Sequence, residues 1–198
     1  MTTYVALLRG INVSGKNPIK MEALRSLFTT LGYEGVATYV QSGNIVFTGA
    51  ARSAPKIAET IKRAIVDEFG FEVGVLVRTT DELSALAGDN PLRHRNADPS
   101  KLHVTFLERV PRAAKVKALD PSFAAPDEFA VVGQEVFVHC PNGYGRTKIN
   151  NTFFEKKLGV AATTRNLRTV QALVDLADKT TADKTKADKR QASSAQKR

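Results

Sequence analysis

The apolar residues of this chain change their spacing in the same order twice, and that order leaves few folds open. From Tyr4 to Leu8 they run without interruption, as in a strand buried on both faces. Met21, Leu24, Leu27, Phe28 and Leu31 then recur at helical spacing, with Asn17 and Pro18 offering an N-cap and a first-turn proline and Gly32 a stop. Val36 to Val40 and Asn44 to Phe47 read as two short strands around Gln41-Ser42-Gly43, a hairpin signal. Pro55 opens a second helix in which Ile57, Ile61 and Ile65 return every four residues, Gly70 closes it, and Phe71 to Val77 follows as a strand. The order is β-α-β-β-α-β, the split arrangement of ferredoxin-like folds.

A short helix near Asp81 to Ala87 and a basic loop (Arg93, His94, Arg95) lead to a second pass through the same order. Leu102 to Leu107 is its first strand, and a helix starts near Pro111. Phe129 to Val132 and Glu135 to His139 form a hairpin around Gly133-Gln134, and a helix from about Thr147 to Leu158 follows. Val160 to Thr164 is a degenerate last strand, and Leu167, Val170, Leu173, Val174 and Leu176 mark a closing helix. The expected class is therefore α+β: two packed ferredoxin-like subdomains over residues 1–80 and 81–178. The halves share no visible sequence identity, so the duplication is one of topology alone.

Residues 179–198 stand apart. They hold seven Lys/Arg against two acids, which accounts for +5 of the formal +9 of the whole chain, and from Lys179 onward they contain no large apolar residue. Ala-Asp-Lys repeats at 177, 182 and 187, a five-residue period that matches neither a helix face nor a strand, so this segment reads as a disordered basic tail. Such a tail is either a polyanion-binding arm or a solubilising terminus. The chain has one cysteine, which cannot form an internal disulfide, no N-terminal pattern of a signal peptide and no run approaching ~18 apolar residues. A cytoplasmic protein with no membrane association is the expectation.

Three loops concentrate the residues that recognise anions. Gly10 to Asn17 fits G-x-x-x-x-G-K, but Asn17 stands where a nucleotide triphosphatase loop needs Ser or Thr on magnesium, and the hairpin order is wrong for a parallel sheet. Pro141 to Asn151 leads from a strand into a helix with Thr147 as expected N-cap, and Ala161 to Asn166 precedes the closing helix. Lys16, Arg146 with Lys148, and Arg165 would thus sit at helix starts, where the dipole disfavours cations unless an anion lies nearby. Directional hydrogen bonds would come from Asn12, Ser14, Gln41, Ser42, Asn44, Tyr144, Asn150, Thr164 and Asn166, and close backbone approach from Gly10, Gly15, Gly43 and Gly145. Solvated cations and ordinary capping residues account for the same pattern. Whether the Gln41 hairpin lies beside the Gly10 loop or at the opposite end of the sheet stays open.

No catalytic machinery is evident. His103 and His139 fall in strands, His94 in the basic loop, and Cys140 beside His139 points to the opposite face, so no metal spacing exists. Cys140 reads first as a buried strand-end residue, with a Cys-His nucleophile pair as the alternative, and Glu108 and Glu155 are isolated acids. Catalytic residues and cofactors remain unassigned.

Leu8 to Asn17, Tyr39 to Asn44, Gly143 to Lys148, Glu155 to Leu158 and Ala162 to Asn166 together resemble the DUF1697 family of uncharacterised bacterial proteins. The likeness runs in order through residues 3–177 and implies two packed ferredoxin-like subdomains without an established activity. Members of that family commonly carry Trp after the Arg-Asn pair, where this chain has Leu167. The function expected first is binding of a small anionic ligand, such as a nucleotide or phosphorylated metabolite, by these loops. The alternatives are a nucleic-acid-binding protein, through its basic tail or its body, and a scaffold for an acidic partner. The body lacks the Arg/Lys-Gly-Phe-Gly signature of RNA-recognition folds.

Overall fold

The computed structural model describes residues 1–13, 15–92 and 98–195, with the backbone alone at 87 and 183–195. Its order is β1 (Thr2–Arg9), α1 (Met21–Thr30), β2 (Glu34–Tyr39), β3 (Asn44–Gly49), α2 (Ala54–Phe69), β4 (Gly74–Thr79) and α3 (Thr80–Gly88). There follow β5 (Leu102–Leu107), α4 (Ala113–Lys117), β6 (Glu128–Val132), β7 (Glu135–His139), α5 (Asn151–Leu158), β8 (Ala162–Asn166) and α6 (Leu167–Ala195). The protein is a mixed α/β fold with two four-stranded antiparallel sheets, ordered β2-β3-β1-β4 and β6-β7-β5-β8. Contacts divide it into two compact units, Met1–Leu83 with the segment from Ala172 onward, and Ser84–Gln171.

In the first unit the every-fourth-residue apolar stripe of α2 buries Ile57, Ile61 and Ile65 against the sheet, and α1 adds Leu24 and Phe28. Phe47 on β3 lies among three rings, with centroids 5.6 Å from Tyr4, 5.1 Å from Phe28 and 4.5 Å from Tyr33. The Tyr4 hydroxyl accepts from Arg52 N and donates to Arg52 O, which fixes the approach to α2. Gly70, in left-handed backbone at φ +77°, ends that helix as its position after Phe69 requires. In the second unit the corresponding first helix shrinks to α4 and a 3₁₀ turn over Pro121–Ala124. Phe154 and Leu158 of α5 pack with Leu107, Val136, Val138 and Ala162 on the sheet face. The β6–β7 hairpin turns through Gly133-Gln134 with Gly133 at φ +59°, a conformation that favours glycine.

Three local expectations are corrected. Helix α1 begins at Met21 behind Lys20, because Asn17 takes left-handed backbone (φ +48°) and spends its amide on Gly10 O at 3.1 Å; it closes a loop instead of capping a helix. Helix α5 begins at Asn151, capped by Asn150 Oδ1 accepting from Phe153 N at 3.1 Å, while the Thr147 hydroxyl donates to Asp127 Oδ2 at 2.6 Å. The segment expected to be disordered from Lys179 continues α6 as helix through Ala195. The reason is propagation: Val170, Leu173, Val174 and Ala177 are buried, and the residues beyond them contain neither Gly nor Pro and are rich in Ala and Lys. Thr181 also reaches Thr3, hydroxyl to hydroxyl, at 3.1 Å within the first unit. Residues 196–198 of that segment lie outside the described residues.

Candidate functional site

The Gly10 loop and the Gln41 hairpin lie together at one end of the first sheet. Leu8 N donates to Gly43 O at 2.7 Å, and the Asn12 amide donates to Gln41 O at 3.0 Å and to Ile19 O at 2.9 Å while its Oδ1 accepts from Ile19 N. Every hydrogen-bonding site of that amide nitrogen is used, so Asn12 is the staple that holds two expected loops against each other. Asn44 is fully buried and donates to Tyr39 O and Ser42 Oγ. Gly43 (φ +73°) lies where an added Cβ would fall 2.7 Å from Leu8 Cβ, which the β1–β3 pairing beside it enforces. Gly15, Lys16 and Gln41 face outward, Gly10 (φ +71°) has open space around it, and Ser14 lies outside the described residues. Val40 next to this hairpin is a β-branched residue at φ +50° and is exposed, a strain of roughly 1–3 kcal/mol that sequence inspection missed.

The second unit joins the other two segments. Tyr144 Oη donates to Thr164 Oγ1 at 3.0 Å, and Thr164 donates its single hydroxyl hydrogen to Asn151 Oδ1 at 2.6 Å. The 2.7 Å contact between Thr105 and Thr164 must therefore run from Thr105 to Thr164, which completes one donor and two acceptors on that oxygen. The Tyr144 ring stacks on His103 at 4.6 Å. Asn166 donates to Ser100 O at 2.8 Å and to His103 Nε2 at 3.3 Å, which leaves the proton on Nδ1, toward Lys101 O. Burial holds the His103 imidazole below its ordinary pKa, so it is neutral at pH 7, and its contribution to stability falls away as pH drops below the ordinary range near 6.5. His103, Thr105 and Asn151 were not among the expected residues; threonine and histidine inside an apolar strand run were the available signal.

The network leaves Gly145, Arg146, Lys148 and the outer side of Asn150 exposed on a turn anchored at both ends. Among the described residues neither Arg146 nor Lys148 has an ion pair; Lys148 Nζ lies 6.0 Å from the Phe123 ring centroid. Arg165 behaves differently. It belongs to β8, not to a helix start, donates to Thr163 Oγ1 and Thr164 O at 2.9 Å, and burial lowers its pKa to about 10, still charged at neutral pH. None of the expected cations falls in the first turn of an α-helix: Lys16 and Arg146 precede α1 and α5 by several residues, Arg146 closing the short 3₁₀ turn Tyr144–Arg146. The dipole therefore does not select for an anion at these positions.

Two further places bear on chemistry. A groove of about 810 Å³ at the start of α2 is lined by Arg52, Ser53, Lys56, Glu59 and Arg63, none of them an expected residue, and Glu59 and Arg63 neutralise each other in an exposed pair. Cys140 is fully buried, and desolvation pushes its thiol up to about 11. The folded protein is therefore expected to leave a maleimide unreacted at pH 8 over the time in which the urea-unfolded chain reacts completely. Fast labelling of the native thiol would contradict this burial. Because the folded thiol holds its proton above the ordinary pKa of 9.0, its contribution to stability declines as pH rises from about 9 to 11.

No helix among the described residues is long and apolar enough to cross a membrane. A family model described as a protein of unknown function (DUF1697) matches residues 1–137. Among solved structures, the conserved bacterial protein SP0830 from Streptococcus pneumoniae is similar at 23% sequence identity with a TM-score of 0.69, over 89% of this chain and 98% of that one. At that identity the likeness is one of fold. No curated protein matches the chain.

Proposed function

Since the chain belongs to the DUF1697 family, described as of unknown function, we propose its role from its own residues: it binds a small anionic ligand at the Gly143–Asn151 turn of the second unit. One observation carries this reading. Arg146 and Lys148 are held exposed, without a carboxylate partner among the described residues, on a turn that Tyr144, Thr147 and Asn150 pin from three sides. Holding the loop in one geometry reduces the ordering cost of binding, and a guanidinium presents paired donors to a phosphate or carboxylate. Lys16 on the Gly10 loop, beside the hairpin that carries the neutral amide of Gln41, supplies a lesser cationic surface in the first unit. We read each unit as ferredoxin-like, which the strand order second-third-first-fourth supports, and place the protein in the cytoplasm, in keeping with its single buried thiol.

Thermal-shift titration of the full chain with AMP, ribose 5-phosphate, pyrophosphate, citrate and a short RNA tests the assignment. A saturable rise in Tm with at least one small anion is expected, weakened at least tenfold in Arg146→Ala, whose ligand-free Tm stays that of the wild type. An unchanged affinity in the variant overturns it. A response to RNA alone, steeply salt-dependent and lost on truncation after Ala182, would assign binding to the basic end of α6 instead. That cut, unlike one after Asp178, keeps the Thr3–Thr181 contact. RNA reading by aromatics on the central strands is disfavoured, because Tyr4 and Phe47 are both core residues.

A further inference from the structure

We propose that the anion bound by this turn carries a flat aromatic ring, as a mononucleotide does, and that Phe123 is the surface on which that ring stacks; this rests on the anion-binding reading above. Phe123 is half exposed, at 51%, in the 3₁₀ turn Pro121–Ala124. That turn is fixed by Asp120, whose Oδ1 accepts from Ser122 N and Ser122 Oγ. The ring lies nearly parallel to Phe153, 6° between planes and 5.4 Å between centroids. Phe153 in turn meets Phe154 edge-on at 5.2 Å, and Phe154 is a core residue that meets Phe129 edge-on at 5.6 Å. A ladder of four rings thus runs from the core to the surface and ends in an exposed ring of fixed orientation.

A single exposed phenylalanine is ordinary, but this one is held rigid and has a cation beside it. Lys148 Nζ, 6.0 Å from the centroid, is at the outer limit of a cation–π contact and so is weakly held. An incoming base displaces it from the ring at small cost and leaves the ammonium free to meet the phosphate, with Arg146 on the same turn. Stacking tolerates every base, so the inference specifies a nucleotide and not which one.

Calorimetric titration of the full chain with AMP and with ribose 5-phosphate, which keeps the phosphate and lacks the base, separates the two claims. AMP is expected to bind about tenfold or more tightly than ribose 5-phosphate. Phe123→Leu is expected to abolish that preference while ribose 5-phosphate binding stays within about twofold, with Arg146→Ala weakening both. The base protons of AMP should shift upfield on binding to wild type and not to Phe123→Leu, a ring-current signature that a structural role would not produce. Equal affinities for the two ligands, or a preference retained in Phe123→Leu, overturn the stacking role and leave anion binding standing. Binding of neither ligand overturns this inference and leaves the anion-binding reading to the other anions of the panel, whereas affinities unchanged in Arg146→Ala remove that reading and this inference with it.

Discussion

Gly43→Ala is expected to destabilise the protein by about 3 kcal/mol, against about 1–2 kcal/mol for Gly10→Ala, although both glycines have nearly the same φ. The shared part is the left-handed φ, +73° at Gly43 and +71° at Gly10, which an L-residue adopts at a cost. The difference is what a Cβ would meet. At Gly10 nothing lies within 4 Å, whereas at Gly43 the new carbon falls 2.7 Å from Leu8 Cβ and 3.1 Å from two Ile11 carbons. Leu8 Cβ sits on the backbone of the central strand and has no rotamer by which to retreat. Relief has to come from the Leu8 N to Gly43 O hydrogen bond, the contact that seats the hairpin on the Gly10 loop. Urea unfolding of the two variants, with unchanged m-values, measures the difference. Equal midpoints would mean that the hairpin does not make this close approach.

Thr164→Val is expected to cost about 2–3 kcal/mol and Thr164→Ser less than about 1 kcal/mol, because the shape of the residue is nearly preserved in the first and its hydroxyl in the second. Valine removes the bond that Tyr144 Oη, Asn151 Oδ1 and the hydroxyl of Thr105 each make to Thr164, and Thr105 is fully buried and cannot turn to water. Tyr144 is the link between this network and the turn bearing Arg146. The same variant should therefore raise amide hydrogen exchange across residues 143–147 and weaken the anion that Arg146 binds, even though Thr164 lies off the exposed surface of the turn. Unchanged exchange in Thr164→Val would show that the turn is held by Thr147 and Asn150 without the network.

The two sets of candidate residues fare differently, and the reason is local against distant bonding. Gly43, Gly70 and Gly133 could be read from sequence as turn or stop residues, since a positive φ is a property of one position and its neighbours. Asn17 could not be distinguished from a cap in this way. It and Asn150 have the same chemistry and both precede a helical stripe, yet Asn17 folds back on Gly10 and Asn150 caps α5. Arg165 looked like Arg146 until β8 paired with β5 through it, which placed its guanidinium against Thr163 and Thr164. Phe123 gave no signal at all, because its place above Phe153 depends on a contact across thirty residues.

Apolar period and turn chemistry by themselves determined the order of elements in both halves, the hairpins and the stripe of α2, because each is written within a few residues of chain. They also determined which loops are rich in cations and amides. Only the tertiary structure decided which of those groups are consumed in holding the loops and which stay available. Asn12 meets Gln41 across 29 residues, Tyr144 meets Thr164 across 20 and Asn166 meets Ser100 across 66. No local spacing encodes such pairings. A polar group buried by folding must find a partner wherever the fold provides one, so the residues left for a ligand are those whose position in the folded chain offers none.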